Sequence, residues 1–296
     1  MPRPLPTTAI LVVNAKSRKG EAAFKEVKSK LEAAGLKLIR THAIRDPKNM
    51  DEAIKAAIRD APMVIVGGGD GSLSSNVDHF VGQDTVFAVV PLGTANSFAK
   101  TLGIGDDLDS AVATITGGVR KRIDLGRIDG DYFANAAALG LSPLIAGTVP
   151  HKLKKYLGMV GYLLWAARVA FKFRPFRLRI TTDDGQTHHC WATEARIANG
   201  THHGGVELVE SQELDSGVIV IQAVTGKRLW GLAWSWFATL FKLSAKEQTV
   251  TEWRGRKMLV EARPIQKISV DGELSAKTPV TVECARGCLE VAAPAE

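Results

Sequence analysis

The residues best suited to chemistry lie in Val64-Ile65-Val66-Gly67-Gly68-Gly69-Asp70-Gly71-Ser72, where an apolar run opens into glycines, an acid and a hydroxyl. Glycines let backbone amides approach phosphate oxygens closely, and the N-terminus of a following helix adds converging N–H groups. Ser72 can donate once more. Asp70 repels a bare phosphate, so beside one it needs Mg²⁺ or serves as a proton acceptor. The plainer alternative is a tight strand-to-helix turn with an Asp side-chain cap. The string does not match G-x-x-x-x-G-K-S/T, and it does not give G-x-G-x-x-G opening a helix; a Walker A loop and an NAD dehydrogenase are set aside.

A second string repeats the theme one strand later. Val86–Val90 leads into Pro91-Leu92-Gly93-Thr94-Ala95-Asn96-Ser97-Phe98. Thr94 and Asn96 can donate to phosphates and Gly93 permits close approach, although either polar residue could equally be an ordinary helix cap. Two such loops from neighbouring parallel strands would frame one crevice.

Other groups carry weaker signals. On its own, Asp271-Gly272-Glu273 reads as a hairpin turn with surface acids. His188-His189 and His202-His203 are adjacent pairs, and neighbours on a strand face opposite ways, so each offers one inward ligand at best. Cys284 and Cys288 would make half a metal site with no second cysteine pair to complete it. The segment His151–Arg177 holds Lys152, Lys154, Lys155, Arg168, Lys172, Arg174 and Arg177 around an apolar body, with no acid. Such a segment can rest on an anionic bilayer surface or cover a core with solvated ends. The run Leu229–Phe241, with Trp230, Trp234 and Trp236, has the same two readings.

The elements that must position these residues come in two styles. From Ile10 to about Gly118, short apolar runs alternate with helical stretches. Strands are expected at Ile10–Val13, Leu36–Thr41, Met63–Val66 and Val86–Val90, and helices at Ala22–Ala34, Met50–Asp60, Leu73–Phe80 and Ala95–Leu102. This is the pattern of an α/β domain with a parallel sheet. After Arg122 strands dominate, separated by turns such as Asp129-Gly130, Asp184-Gly185 and Asp271-Gly272, which predicts a mostly β second domain with helical insertions. The expected division is 1–125, 126–285 and a terminal segment 286–296 that packs back on the first domain.

The chain has 296 residues, 45% hydrophobic and 23% charged, with a net charge of +7 from 38 Lys and Arg against 31 Asp and Glu. The positive excess favours anionic partners, but the basic residues interleave with apolar runs and no standard nucleic-acid module is present. Three widely spaced cysteines do not form a disulfide framework and fit a reducing, cytoplasmic compartment. Met1–Pro6 reads as a short tail rather than a signal peptide. No uninterrupted apolar run reaches the roughly 20 residues that a spanning helix needs.

Gly68-Gly69-Asp70-Gly71-Ser72 with Pro91-Leu92-Gly93-Thr94-Ala95-Asn96 resembles the diacylglycerol kinase catalytic-domain family, whose motifs are G-G-D-G-T and P-x-G-T-x-N. The resemblance continues at Asn14–Gly20, Ile197-Ala198-Asn199-Gly200, Gly204-Gly205, Leu214-Asp215-Ser216-Gly217 and Asp271-Gly272-Glu273, in family order across nearly the whole chain. It implies an α/β nucleotide domain followed by a β-sandwich-like domain, a site between them, and ATP-dependent phosphorylation of a lipid hydroxyl such as that of diacylglycerol. By the same resemblance Asn14, Ser17, Gly68, Gly69, Gly71, Ser72, Gly93, Thr94 and Asn96 form the nucleotide loops. Asp70 lies in the phosphate and Mg²⁺ region. Asp271 and Glu273 are the acidic pair near the transferred phosphoryl group, and Asp215 is linked to a structural Mg²⁺. A membrane-derived lipid, peripheral contact with an anionic membrane and a homodimer are the implied partners.

The chain departs from the family at several positions. Ser72 stands where Thr is commoner, Ala15 where Pro follows the Asn, and Arg18 where Gly is common. Ser74-Ser75 replaces Asn-Glu, Ser97 replaces a common Asp, and Ser216 interrupts Asp-Gly. The alternatives are a catalytically lapsed lipid-binding relative and an NAD kinase-like phosphotransferase, which shares the Gly-Gly-Asp-Gly loop.

Overall fold

The computed structural model describes residues 3–16, 18–199, 202–203, 206–207, 214–226 and 250–295. Ser17, Gly200, Gly204, Gly205 and the run Leu229–Phe241 lie outside the described residues, as do the side chains of Lys152, Lys154, Lys155, His202, His203 and Glu273.

The first part of the chain runs β1 (Arg3–Pro4), β2 (Thr8–Asn14), α1 (Arg18–Ala33), β3 (Lys37–Ile44), α2 (Met50–Asp60), β4 (Met63–Gly68), α3 (Asp70–Val77), β5 (Val86–Pro91), α4 (Ser97–Thr101), α5 (Leu108–Gly117) and β6 (Val119–Ile128). The second runs β7 (Asp131–Phe133), β8 (Ala136–Gly140), α6 (Leu141–Thr148), α7 (His151–Lys172), β9 (Phe176–Thr181), β10 (Thr187–Ala198), β11 (His202–His203), β12 (Val206–Glu207) and β13 (Ile219–Thr225). It continues through β14 (Val250–Gly255), β15 (Lys257–Arg263), β16 (Lys267–Val270), β17 (Glu273–Lys277) and β18 (Val280–Ala293).

Strands β3, β2, β4 and β5 lie side by side and parallel. β4 and β5 are buried along their whole length, which is why they read as unbroken apolar runs rather than alternating ones. Their side chains divide by parity. Ile10, Val12, Val64, Val66, Phe87 and Val89 meet Ile54 of α2, Leu73 of α3 and Phe98 of α4. Leu11, Val13, Ile65, Ala88 and Val90 meet Val27 and Leu31 of α1 and Ile115 of α5 on the other face. α2 buries Met50, Ile54 and Ala57, one stripe at helical spacing. It ends where Ala61, the residue before Pro62, turns extended.

Two expected helix starts are corrected here, and one helix is added. α3 starts at Asp70 rather than Leu73, so the acid sits in the helix's first turn. α4 starts at Ser97 rather than Ala95, because Asn96 takes a left-handed conformation with φ 49°. α5 has no counterpart among the expected elements; Asp107 caps it by accepting from the Ser110 amide at 2.7 Å.

The second part is mostly β, around a separate core of Leu139, Phe176, Ile197, Ile221, Val260 and Val282. The Asp129-Gly130 and Asp271-Gly272 turns hold both residues at positive φ, as a tight hairpin turn of this type requires. β18 joins the two parts. It pairs with β15 at its start, with β6 along its length, and in parallel with β5 at Val291–Phe87. α7 packs Tyr162, Trp165, Ala166 and Val169 against Leu141 and Ile145 of α6. Its other face leaves Leu157, Val160, Leu163, Leu164 and Phe171 exposed. No helix among the described residues is long and apolar enough to cross a membrane.

Candidate active site

Three neighbouring parallel strands end together. Register pairs Val13 with Gly67 and Gly68 with Pro91, so Asn14, the glycine loop and the Pro91–Asn96 loop emerge side by side at the carboxyl edge of the sheet. In an open α/β sheet this edge is where ligands bind. The Asn14 amide donates to Ser72 Oγ at 2.9 Å, tying the end of β2 to the first turn of α3. The two glycine loops touch through their backbones: a Cβ on Gly93 would stand 2.7 Å from Gly69 Cα and 2.9 Å from Asn96 Oδ1. A Cβ on Gly68 would stand 2.7 Å from Ser72 Cβ. Gly71 is different: it is exposed, and beyond its chain neighbours and its own helix backbone nothing lies within 4 Å of where its Cβ would be.

Asp70 does not cap its own helix. Its Oδ1 accepts from the Phe98 amide at 3.2 Å, which links α3 to the first turn of α4. Asn96 Oδ1 accepts from the Gly93 amide at 2.8 Å, and its amide group donates to Asp106 at 3.3 Å. The buried Asn96 side chain is thereby committed to holding the loop's shape. Thr94 is exposed at the loop tip.

Asp271 is brought to the same region from the second domain. Its carboxylate accepts from the backbone amides of Ala134 at 3.0 Å and of Asn135 and Ala136 at 3.1 Å, and from the Ser74 hydroxyl of α3. These four bonds use the acceptor positions of a carboxylate. Asp78, in the turn that follows α3, feels this group: burial and the negative charges of Asp131 and Asp271 raise its carboxyl above the usual range. Asn135 is buried beside the Asp271 turn. Ser74 and Asn135 were not singled out from the sequence. Ser74 stood out only as a departure from the family pattern, and its partner is 197 positions away.

Asp215 is not part of this arrangement. It is exposed, and its nearest charged partner among the described residues is Lys121 of β6 at 3.5 Å. The buried acid nearby is Asp124, which accepts from the amides of Gly217 and Gly287, each at 2.7 Å. A lone acid inside Ile123-Asp124-Leu125-Gly126 was the signal that could have found it. Its negative charge, after burial, helps push the Cys284 thiol up to about 12, and burial pushes Cys288 up to about 11. No group of three or more His, Cys, Asp or Glu side chains suited to a metal occurs among the described residues.

Comparison with known proteins follows the same division. Residues 8–128 match the diacylglycerol kinase catalytic domain, and residues 138–293 match the YegS C-terminal NAD kinase beta sandwich-like domain. A diacylglycerol kinase of Bacillus subtilis (strain 168) is 35% identical over 162 residues, 53% of each chain, so this match spans about half the length of that relative. A YegS-like lipid kinase of Klebsiella pneumoniae (strain 342) is 31% identical over 237 residues, covering 77% of this chain and 76% of the relative. A crystal structure from Bacillus anthracis str. Sterne, described as a diacylglycerol kinase, superposes with a TM-score of 0.80 at 24% identity, over 97% of this chain and 95% of that one, which establishes the shared fold. The chain belongs to the diacylglycerol kinase catalytic-domain family, with a YegS C-terminal NAD kinase beta sandwich-like domain following the catalytic domain.

Proposed function

We propose that the protein transfers the γ-phosphoryl group of ATP to the hydroxyl of a membrane-derived lipid, diacylglycerol or a close relative. The observation that carries this reading is the contact between the Gly69 and Gly93 backbones, which makes two phosphate-type loops into one surface with Asp70 at its centre. Phosphoryl transfer depends mainly on positioning and charge neutralisation; this surface offers the first, and Mg²⁺ held at Asp70 would supply the second. Backbone amides of the two loops, Ser72 and Thr94 would hold phosphate oxygens.

The donor set fits Mg²⁺, which usually takes one or two carboxylates together with substrate phosphates and keeps several waters. Asp70 is the carboxylate that would hold it, and the bound ion would neutralise charge developing on the phosphates. Asp271 serves as a positioning residue, since its acceptor sites are filled by the backbone and Ser74. Glu273 is then the proton acceptor of the acidic pair. Asp215, paired with Lys121, serves the fold rather than a metal.

The acceptor's source explains α7. Its outer face is apolar, and Arg168, Lys172 and Arg174 accompany it. We assign that face to peripheral contact with an anionic bilayer, the apolar side chains resting in the interface and the cations among headgroups. The test is transfer of labelled γ-phosphate from ATP to a total lipid extract with Mg²⁺, resolved by chromatography and mass spectrometry. One discrete new phospholipid is expected. Phosphorylation of NAD instead, with no lipid product, would favour an NAD kinase-like activity and overturn the assignment.

A further inference from the structure

The outward face of the second domain carries a basic groove separate from the glycine loops. β10, β9 and β15 are neighbours, and Leu178, Ile180, Val260 and Ala262 point into the core. The alternate residues therefore point out. Register sets Trp191, Arg177 and Arg263 in one cross-strand row and His189, Arg179 and Glu261 in the next. Together they line an open groove of about 560 Å³.

The charges in this groove do not balance. Arg179 lies 3.4 Å from Glu261, so that guanidinium has a counter-charge. Arg177 and Arg263 stand directly opposite each other, and among the described residues neither forms an ion pair. Like charges directly opposite on adjacent strands cost stability. Arg177 also lies over the Trp191 ring, 5.2 Å from its centroid, which holds the guanidinium against an aromatic face. Planar guanidinium forks converging on one space are the donors that a phosphate takes bidentately.

We propose that this groove is a phosphate-binding site, in which Arg177 and Arg263 grip the phosphate mono- or diester of a ligand and Trp191 orients Arg177. The phosphate could come from an anionic phospholipid headgroup or from a soluble phosphate ester. The first is within reach, because β9 follows α7 after only Phe173, Arg174 and Pro175.

Binding is measured without ATP or Mg²⁺, so the result stands or falls separately from the kinase reading. The probes are sn-glycerol 3-phosphate by calorimetry, and phosphatidylcholine vesicles with and without phosphatidylglycerol by co-sedimentation. Wild type is compared with Arg177→Gln/Arg263→Gln and with Lys25→Gln/Lys37→Gln, which removes the same charge from exposed positions of the first domain. Loss of two charge-assisted contacts should weaken binding at least about tenfold in the arginine variant alone. Loss restricted to the vesicles assigns the site to a headgroup, and loss restricted to glycerol phosphate assigns it to a soluble ester. Arg177→Lys/Arg263→Lys keeps the charge without the fork and should bind with reduced affinity, which covers the case in which the glutamine variant folds poorly. Undiminished binding by both arginine variants would overturn the proposal. So would equal loss in the lysine control, or a wild-type dimer that the arginine variants convert to monomer.

Discussion

Gly93 shows what a single hydrogen atom in place of a side chain does for this site. A methyl group there would stand within 2.7 Å of Gly69 Cα, so Gly93→Ala must separate the loops or strain them. The expected cost is about 1–3 kcal/mol, read by thermal melting, with a loss of turnover larger than the stability change explains. Asp271→Asn makes a sharper case. An amide offers donors where three backbone N–H groups and a hydroxyl also donate, so the variant should lose at least about 2 kcal/mol of stability. Glu273→Gln should lose turnover at nearly unchanged stability, and the reverse pattern would exchange the roles of the two acids. Asp215→Ala should shift the melting temperature slightly, within the roughly 0–1 kcal/mol of an exposed ion pair, and equally with and without Mg²⁺. A larger loss in Mg²⁺ would restore a metal at Asp215. Asp70 and the glycines were legible in the sequence because their chemistry is local. The surroundings of Asp271 and Asp124 were not, since their partners come from segments far along the chain.

The elements divide in the same way. β4 and β5 were legible because a strand buried on both faces must be apolar throughout, and α2 because its buried stripe has helical spacing. α5 was missed although Asp107 is a good cap, because its mostly apolar stretch shows no clean polar face. β18 belongs to the strand-rich part expected after Arg122, but its length was not legible. It runs from Val280 to Ala293 past a register shift between Ala285 and Leu289, where Gly287 turns left-handed and its amide bonds Asp124. α7 was legible as an apolar, basic segment, but only the structure shows which side packs inward. Leu163→Glu/Leu164→Glu alters the outer face alone, so co-sedimentation with anionic vesicles should fall several-fold while melting stays unchanged. A fall in stability with binding intact would assign that face to protein packing instead.

At the scale of the whole molecule, the two domains are held by shared hydrogen bonds and a shared strand. Asp271 reaches Ser74 across the interface, and Glu290 of β18 pairs with Arg120 at 2.6 Å and Arg122 at 2.5 Å on β6. Burial alone would raise the Glu290 carboxyl, but the hydrogen bonds and charges of both arginines outweigh it and hold it below its ordinary 4.5. A carboxyl lowered on folding contributes stability that is present above the unfolded value and lost as pH falls through the folded one. Glu290→Gln should therefore cost about 2–3 kcal/mol at neutral pH, less than a fully buried pair because Arg122 is half exposed, and the deficit should shrink below pH 4.5. These ties keep α3, which begins at Asp70, against the second domain. The most direct measurement is Mg²⁺-dependent transfer from ATP to diacylglycerol in mixed micelles, wild type beside Asp70→Asn. The carboxamide can still accept from Phe98, so the fold should persist while turnover falls at least about 100-fold. Equal turnover in the two proteins would contradict a site centred on Asp70.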